Sequence, residues 1–249
     1  ADLTGLKGVG AKTAKLLERI GAARIIDLLM VLPHGVEDRR RVETMAGVRS
    51  GDIATVAVTV REHHENRVAS RPYRVIVEGP DSLFELVFFH ARRDWIQKLL
   101  PVGSVRIVSG RLEIFDGRLQ MPHPDHVLPL DEADTLRPWE PVYPLTQGLT
   151  QRAVSRAIAD ALTRLPELPE WIVPSLLDQR RWPAWDIALR TAHDPSGTED
   201  LSPSAPARQR LAYDELLSHQ LTLQLIRFHM KRGRGTSNRG TGQLTAKAL

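Results

Sequence analysis

With 249 residues, 42% of them hydrophobic and 26% charged, the chain has the apolar material for a buried core and the length for one or two domains plus helical extensions. The absence of cysteine excludes disulfides and thiolate metal sites and suits a reducing cytoplasm; no apolar run reaches the roughly 18 residues of a membrane span, and the N-terminus has no signal-peptide plan. A net charge of +4 and a pI of about 9.7 favour an anionic partner.

The sequence opens on Ala1 rather than Met, as expected of a processed start or a piece of a longer protein. Residues 3 to 33 read as two short helices broken at Gly21, with Leu16, Leu17 and Ile20 before the break and Ile25, Ile26, Leu28 and Leu29 after it. At their head stands Gly8-Val9-Gly10, followed by Ala11, Lys12 and Thr13. A Gly-x-Gly turn at a helix start lets backbone amides approach a phosphate, so Gly8, Gly10 and Lys12 are candidate DNA contacts of a helix-hairpin-helix-like segment. Ala11 falls between the second glycine and Lys12-Thr13, and no strand precedes the turn, which argues against a nucleotide phosphate loop. The charged run from Glu37 to Arg41 reads as a solvated connector.

A different texture covers residues 51 to 130. Alternating runs at 53–63, 71–78 and 83–89 predict strands, and 92–100 predicts a short helix with Trp95, Ile96, Leu99 and Leu100 on its buried side. Beyond it lies the hairpin Phe115-Asp116-Gly117-Arg118, whose Asp-Gly pair suits a type I′ turn. Counting back by twos, Val108, Leu112 and Ile114 share the apolar face with Leu119 and Met121, while Ser109, Arg111, Glu113 and Phe115 share the polar face with Arg118 and Gln120. An aromatic ring among arginines on that face has the makings of a base-stacking platform. Phe115 is therefore the expected stacking residue, with Arg111 and Arg118 beside it on phosphates and Phe89 and Tyr73 as substitute rings. Strands, helix and closing hairpin together predict an oligonucleotide-binding (OB) barrel. His123, Asp125 and His126 read as loop or barrel closure, because Pro122 and Pro124 break the helix that would align a metal pair.

Helical spacing returns at Val154, Ile158, Ala161 and Leu162. A Pro-rich stretch carrying Trp171, Trp182 and Trp185 follows, and then a long amphipathic helix from about residue 207 to 231 that leads into a Gly- and Arg-rich linker. The expected class is α+β. Its parts are a helical segment over 1–48, the barrel over 49–130, a helical and irregular connector over 131–205, and the long helix with its basic linker over 206–249.

The sequence resembles the N-terminal region of the RecG-type DNA helicases across nearly its whole length. The resemblance rests on Leu6-Lys7-Gly8-Val9-Gly10-Ala11-Lys12-Thr13-Ala14, on Asp27-Leu28-Leu29, Leu32-Pro33 and Asp38-Arg39, and on Phe88-Phe89 and Pro101-Val102-Gly103. It continues through Ser109-Gly110-Arg111, Leu119-Gln120-Met121-Pro122-His123-Pro124, Pro141-Val142-Tyr143-Pro144-Leu145-Thr146 and Arg210-Leu211-Ala212-Tyr213-Asp214-Glu215-Leu216-Leu217, all in family order. Where many members carry a basic or aromatic pair after Leu-Pro, this sequence departs from the pattern with His34-Gly35-Val36.

In that family the region is a wedge that grips branched DNA, replication forks and Holliday junctions, and splits its arms, while an ATP- and Mg-dependent motor follows. The resemblance implies a bacterial cytoplasmic protein acting in repair and recombination. Its partners would be branched DNA and its own C-terminal motor, with no membrane. No phosphate loop or acidic metal motif occurs in this sequence, so no cofactor and no catalysis are expected of the chain by itself, and a monomer is expected. The rival expectation is a protein-interaction module, in which barrel and long helix dock a partner without touching DNA.

Overall fold

The structure, a computed structural model, describes residues 2–64, 72–89 and 92–232. In chain order the elements are α1 (Ala11–Glu18), α2 (Ile25–Leu29), β1 (Gly35–Asp38), β2 (Ile53–His64), β3 (Tyr73–Glu78), β4 (Leu83–Phe88), α3 (Arg93–Leu99), β5 (Val105–Arg111), β6 (Glu113–Phe115), β7 (Arg118–Pro122) and β8 (His126–Pro129). They continue with β9 (Trp139–Val142), α4 (Gln151–Leu162), α5 (Pro174–Arg180), α6 (Trp185–His193) and α7 (Pro206–Arg232). Two apolar cores organise them.

The helical core joins the two ends of the chain. Thr150 caps α4 by accepting the Ala153 amide at 3.2 Å. The helix then turns Val154, Ala157, Ile158 and Ala161 inward at helical spacing, against Leu6, Leu17 and Leu28 from the first 30 residues and Leu189 and Leu211 from α6 and α7. The opening segment and the 131–205 stretch thus share one core. His193 on α6 is pinned inside it, its Nδ1 3.0 Å from the Tyr143 hydroxyl and its Nε2 2.9 Å from the Leu29 carbonyl. Burial pulls the His193 pKa below its usual value and pushes the Tyr143 hydroxyl well up, so both stay neutral. A second anchor is Arg210, fully buried, whose guanidinium meets Glu170 and Asp214 at 2.9 Å and lies over the Trp171 ring.

The sheet core is built on β2. Its first half pairs antiparallel with β5 and its second half with β3, and a register shift between Val60 and Glu62 bends the strand from one partnership to the other. Among the described residues the sheet has seven strands in the order β6-β7-β4-β3-β2-β5-β8, with β4 and β7 parallel. No ladder joins the two ends of the sheet among the described residues, so the sheet is not a closed barrel. The curl is nonetheless tight, for a Cβ at Gly110 on β5 would fall 3.0 Å from the Met121 sulfur on β7 and 3.1 Å from the Pro124 Cα, so a larger residue there would push these neighbours aside.

Within α3 the expected buried side is half right. Ile96 and Leu100 are fully buried and Leu99 is partly so, whereas Trp95 is 54% exposed, its ring edge-on to Phe88. The long helix runs as expected from the start of α7 to Arg232. The linker beyond it, like Arg71 at the head of the second predicted strand, lies outside the described residues.

Between the two cores, β1 and β9 form a separate antiparallel ribbon. The residue after β1, Arg39, is the exception to the reading of 37–41 as a solvated run, since Asp38, Arg40 and Arg41 are exposed. Its side chain is 3% exposed and meets Glu37, Asp125 at 3.0 Å and Glu140 in ion pairs, with a further hydrogen bond to the Ser109 hydroxyl at 2.9 Å. Ser109 in turn touches Thr55 at 2.7 Å, so the outer face of β2 and β5, polar by its sequence parity, is closed over by the joint.

Candidate nucleic-acid interface

The hairpin β6–β7 projects past the sheet core. Asp116 and Gly117 both take positive φ, 51° and 71°, which is the type I′ turn that Asp-Gly predicts. Phe115 and Arg118 stand opposite each other across it. All three residues of β6 are exposed, Phe115 at 62% and Ile114 at 59%. The parity argument therefore places Phe115 correctly and misplaces Ile114: the apolar face continues in sequence to Ile114, but the core stops at Leu112, which is fully buried.

The root of the hairpin is fixed while its tip is not. Leu112 exchanges backbone hydrogen bonds with the 51–52 turn, donating to the Asp52 carbonyl at 2.8 Å and accepting from the Gly51 amide at 2.7 Å. The Ile114 amide donates to the Ser50 hydroxyl at 3.2 Å, and the Arg111 guanidinium donates to the Gly51 carbonyl. Arg111 is thus already used to tie the root. Arg118 is 70% exposed and reaches Glu85 at 3.4 Å, a carboxylate that it shares with Arg74 at 3.1 Å. By strand parity Phe115, Arg118, Glu85 and Arg74 lie on one outward face, where two guanidiniums share a single carboxylate.

The other expected residues are placed differently. Phe89, 46% exposed at the end of β4, lies tilted against the His123 ring with centroids 5.3 Å apart, and its amide donates to His123 Nε2 at 3.1 Å. It sits beside β7 but is already covered on one side. Tyr73 shares the inward parity of Val75 and Val77 and packs on the sheet core, its hydroxyl 2.8 Å from His63 Nδ1 and its ring edge-on to His63. Gly8 and Gly10 belong to the helical core region, not to the hairpin. Gly8 has φ 78°, Gly10 precedes α1 without a capping side chain, and Lys12 is exposed in the first turn. The neighbouring Lys7 amide is taken by Asp160 of α4 at 3.0 Å. Asp125 and His126 are spent on the joint, His126 Nε2 lying 3.0 Å from Glu140. Burial would raise the Glu140 carboxyl, but the His126 hydrogen bond and the Arg39 charge hold it below the usual range.

Sequence reasoning missed the joint. The one signal for it was an arginine inside a run of acids beside a strand, a pattern that solvated connectors share.

Residues 2–165 match the family described as the RecG wedge domain. The chain is 31% identical over 233 residues to the ATP-dependent DNA helicase RecG of Acidithiobacillus ferridurans, covering 91% of this chain and 33% of that protein. It is 28% identical over 235 residues to the RecG of Bacillus subtilis, covering 91% and 32%. The chain thus spans about a third of the length of the curated relatives it matches. A solved structure of RecG bound to a three-way DNA junction superimposes with a TM-score of 0.73 at 24% identity, covering 100% of this chain and 34% of that one. At that identity the likeness shows the fold. The chain belongs to the RecG wedge domain family.

Proposed function

We propose that this chain binds branched DNA, forks and Holliday junctions, and that the tip of β6–β7 separates the arms within a longer ATP- and Mg-dependent helicase acting in repair and recombination in the bacterial cytoplasm. The observation that carries this reading is Phe115, exposed at a rigidly rooted hairpin tip and paired across the turn with an exposed arginine. Stacking rings beside guanidiniums suit unpaired bases next to phosphates. The OB character of the sheet is part of the same proposal, supported by the bent β2, the parallel β4–β7 pair and the close approach of β5 to β7 at Gly110.

A second surface favours the docking reading as an addition. Helix α7 exposes Leu221, Leu225, Phe228 and Met230, and with Ile26 of α2 and Met30 just after it part of this helix encloses a groove of about 900 Å³. We infer that the motor of the longer protein covers it, since isolated soluble chains rarely leave such a patch bare. No helix among the described residues is long and apolar enough to cross a membrane.

The test is a titration of the chain as a monomer with fork DNA and with linear duplex across a salt series. Preference for forks, with log affinity falling linearly against log salt, is the expected result. Absence of binding, or binding indifferent to salt, would leave only the docking surface. The chain by itself is expected to hydrolyse no ATP, and DNA-stimulated hydrolysis would contradict that.

A further inference from the structure

We propose that a cleft between α4 and residues 135–143 is a second phosphate site, occupied by the backbone of a duplex arm; this rests on the branched-DNA reading above. The cleft holds about 350 Å³, and three arginines, Arg137, Arg152 and Arg156, line it together with Tyr143 and Ser155. That volume lies at the small end of ligand clefts, about 300–1,000 Å³.

Arg152 and Arg156 are one turn apart and exposed on α4, where like charges repel. Among the described residues neither makes a hydrogen bond or ion pair. The carboxylate that could answer Arg156 one turn further on is already engaged, for Asp160 accepts the Lys7 amide at 3.0 Å and the Arg164 guanidinium at 2.6 Å. Glu140, which also borders the cleft, is held by Arg39 and His126. Arg137 has Asp194 at 3.1 Å, a pair more than half exposed on both sides. Deeper in, the Ser155 hydroxyl oxygen is buried with no partner, although buried polar atoms are rarely left unsatisfied.

Two uncommitted guanidiniums, which can only donate, and an orphaned hydroxyl, which can donate, line one cleft and complement a phosphate's oxygens. The site also absorbs the Gly8 turn. A Cβ on Gly8 would fall 3.3 Å from Arg156 Cδ, so the arginine stem runs against the turn that leads into α1, and Lys12 lies one turn inside that helix. The cleft is lined from α4 and, through His126 and Leu128, from β8 at one edge of the sheet, whereas the hairpin strand β6 forms the other edge. The two contacts would therefore hold different parts of one junction.

The test uses the full chain, the double variant Arg152→Gln/Arg156→Gln and its lysine counterpart Arg152→Lys/Arg156→Lys. Both arginines are exposed, so all should melt alike in plain buffer. In the first arm, inorganic pyrophosphate should raise the melting midpoint of the parent saturably and leave that of the glutamine variant unmoved. In the second, fork affinity is measured across a salt series. The glutamine variant should bind forks of every sequence more weakly, with a log–log slope shallower by about 1 to 2, one phosphate being worth roughly 0.9. The lysine variant should keep the slope, whereas Phe115→Ala should lower affinity at unchanged slope.

Equal pyrophosphate stabilisation of parent and glutamine variant would place the anion elsewhere and overturn the proposal. Discrimination by pyrophosphate with an unchanged fork slope would overturn the DNA assignment and make the source a free phosphate compound. If the parent binds no forks while pyrophosphate still discriminates, the failure belongs to the branched-DNA reading, and the cleft stands as a phosphate site.

Discussion

The two ends of the sheet body solve opposite problems. At the joint, a single arginine is taken out of water and surrounded by Glu37, Asp125, Glu140 and Ser109. At the hairpin tip, a phenylalanine and an isoleucine are left in water beyond a core that ends at Leu112. Polarity predicts the reverse of both. A buried charge is tolerated when it is paired, and the Arg39 guanidinium meets three carboxylates although its Nε makes no hydrogen bond; exposing a ring at a tip tied down by four hydrogen bonds at its root adds little to stability. The joint is thus where stability is concentrated and the tip is where it is given up, the pattern expected if the tip is reserved for a partner.

Substitutions can break or sharpen that contrast. The largest effect is expected at Leu112, where truncation to Ala removes a fully buried side chain at the last core position and should destabilise by about 2 to 5 kcal/mol in denaturant unfolding. Next comes Arg39→Met, which leaves three carboxylates facing the Ser109 hydroxyl. It should cost on the order of 3 kcal/mol, moderated because those carboxylates are partly exposed. A loss well under 1 kcal/mol would show that the joint is decorative.

The pH dependence is shallower and tests two histidine-linked sites separately, one buried at His193 and one half-buried at Glu140. His193 has a folded pKa below its usual 6.5, so the unfolded chain takes up the proton first. Stability is full above about pH 6.5 and declines as pH falls toward the folded value. Glu140, also depressed, contributes above its ordinary 4.5 and loses that contribution as pH falls through its folded pKa. His193→Phe, if it folds, should remove the first decline and keep the second; an unchanged upper decline would assign it to another group. Smallest of all is Ile114→Ala, expected below about 1 kcal/mol because the side chain is more than half exposed already.

Local rules made the hairpin legible. Asp-Gly fixed the turn, and parity put Phe115 beside Arg118. What local rules cannot carry is how far the core extends, because Ile114 and Leu112 have the same parity and differ only in whether the curled sheet still has a layer to cover them. The joint was illegible for the related reason that Glu37, Ser109, Asp125 and Glu140 are scattered over more than 100 positions, and Arg39 acquires its burial only when β1 meets β9. The same distance hid the shared core of the first 30 residues with α4. The ring at position 73 misled because an aromatic in a strand reads alike whether it faces water or the core.

The central claim is that Phe115 contacts DNA rather than protein. Fork affinity of Phe115→Ala at fixed salt, with its thermal midpoint alongside, tests this most directly. The account predicts an unchanged midpoint and a loss of about 1 to 3 kcal/mol in fork binding, the contribution of one stacked base, with little change on linear duplex. Parental fork affinity, or a domain that melts early, would contradict it.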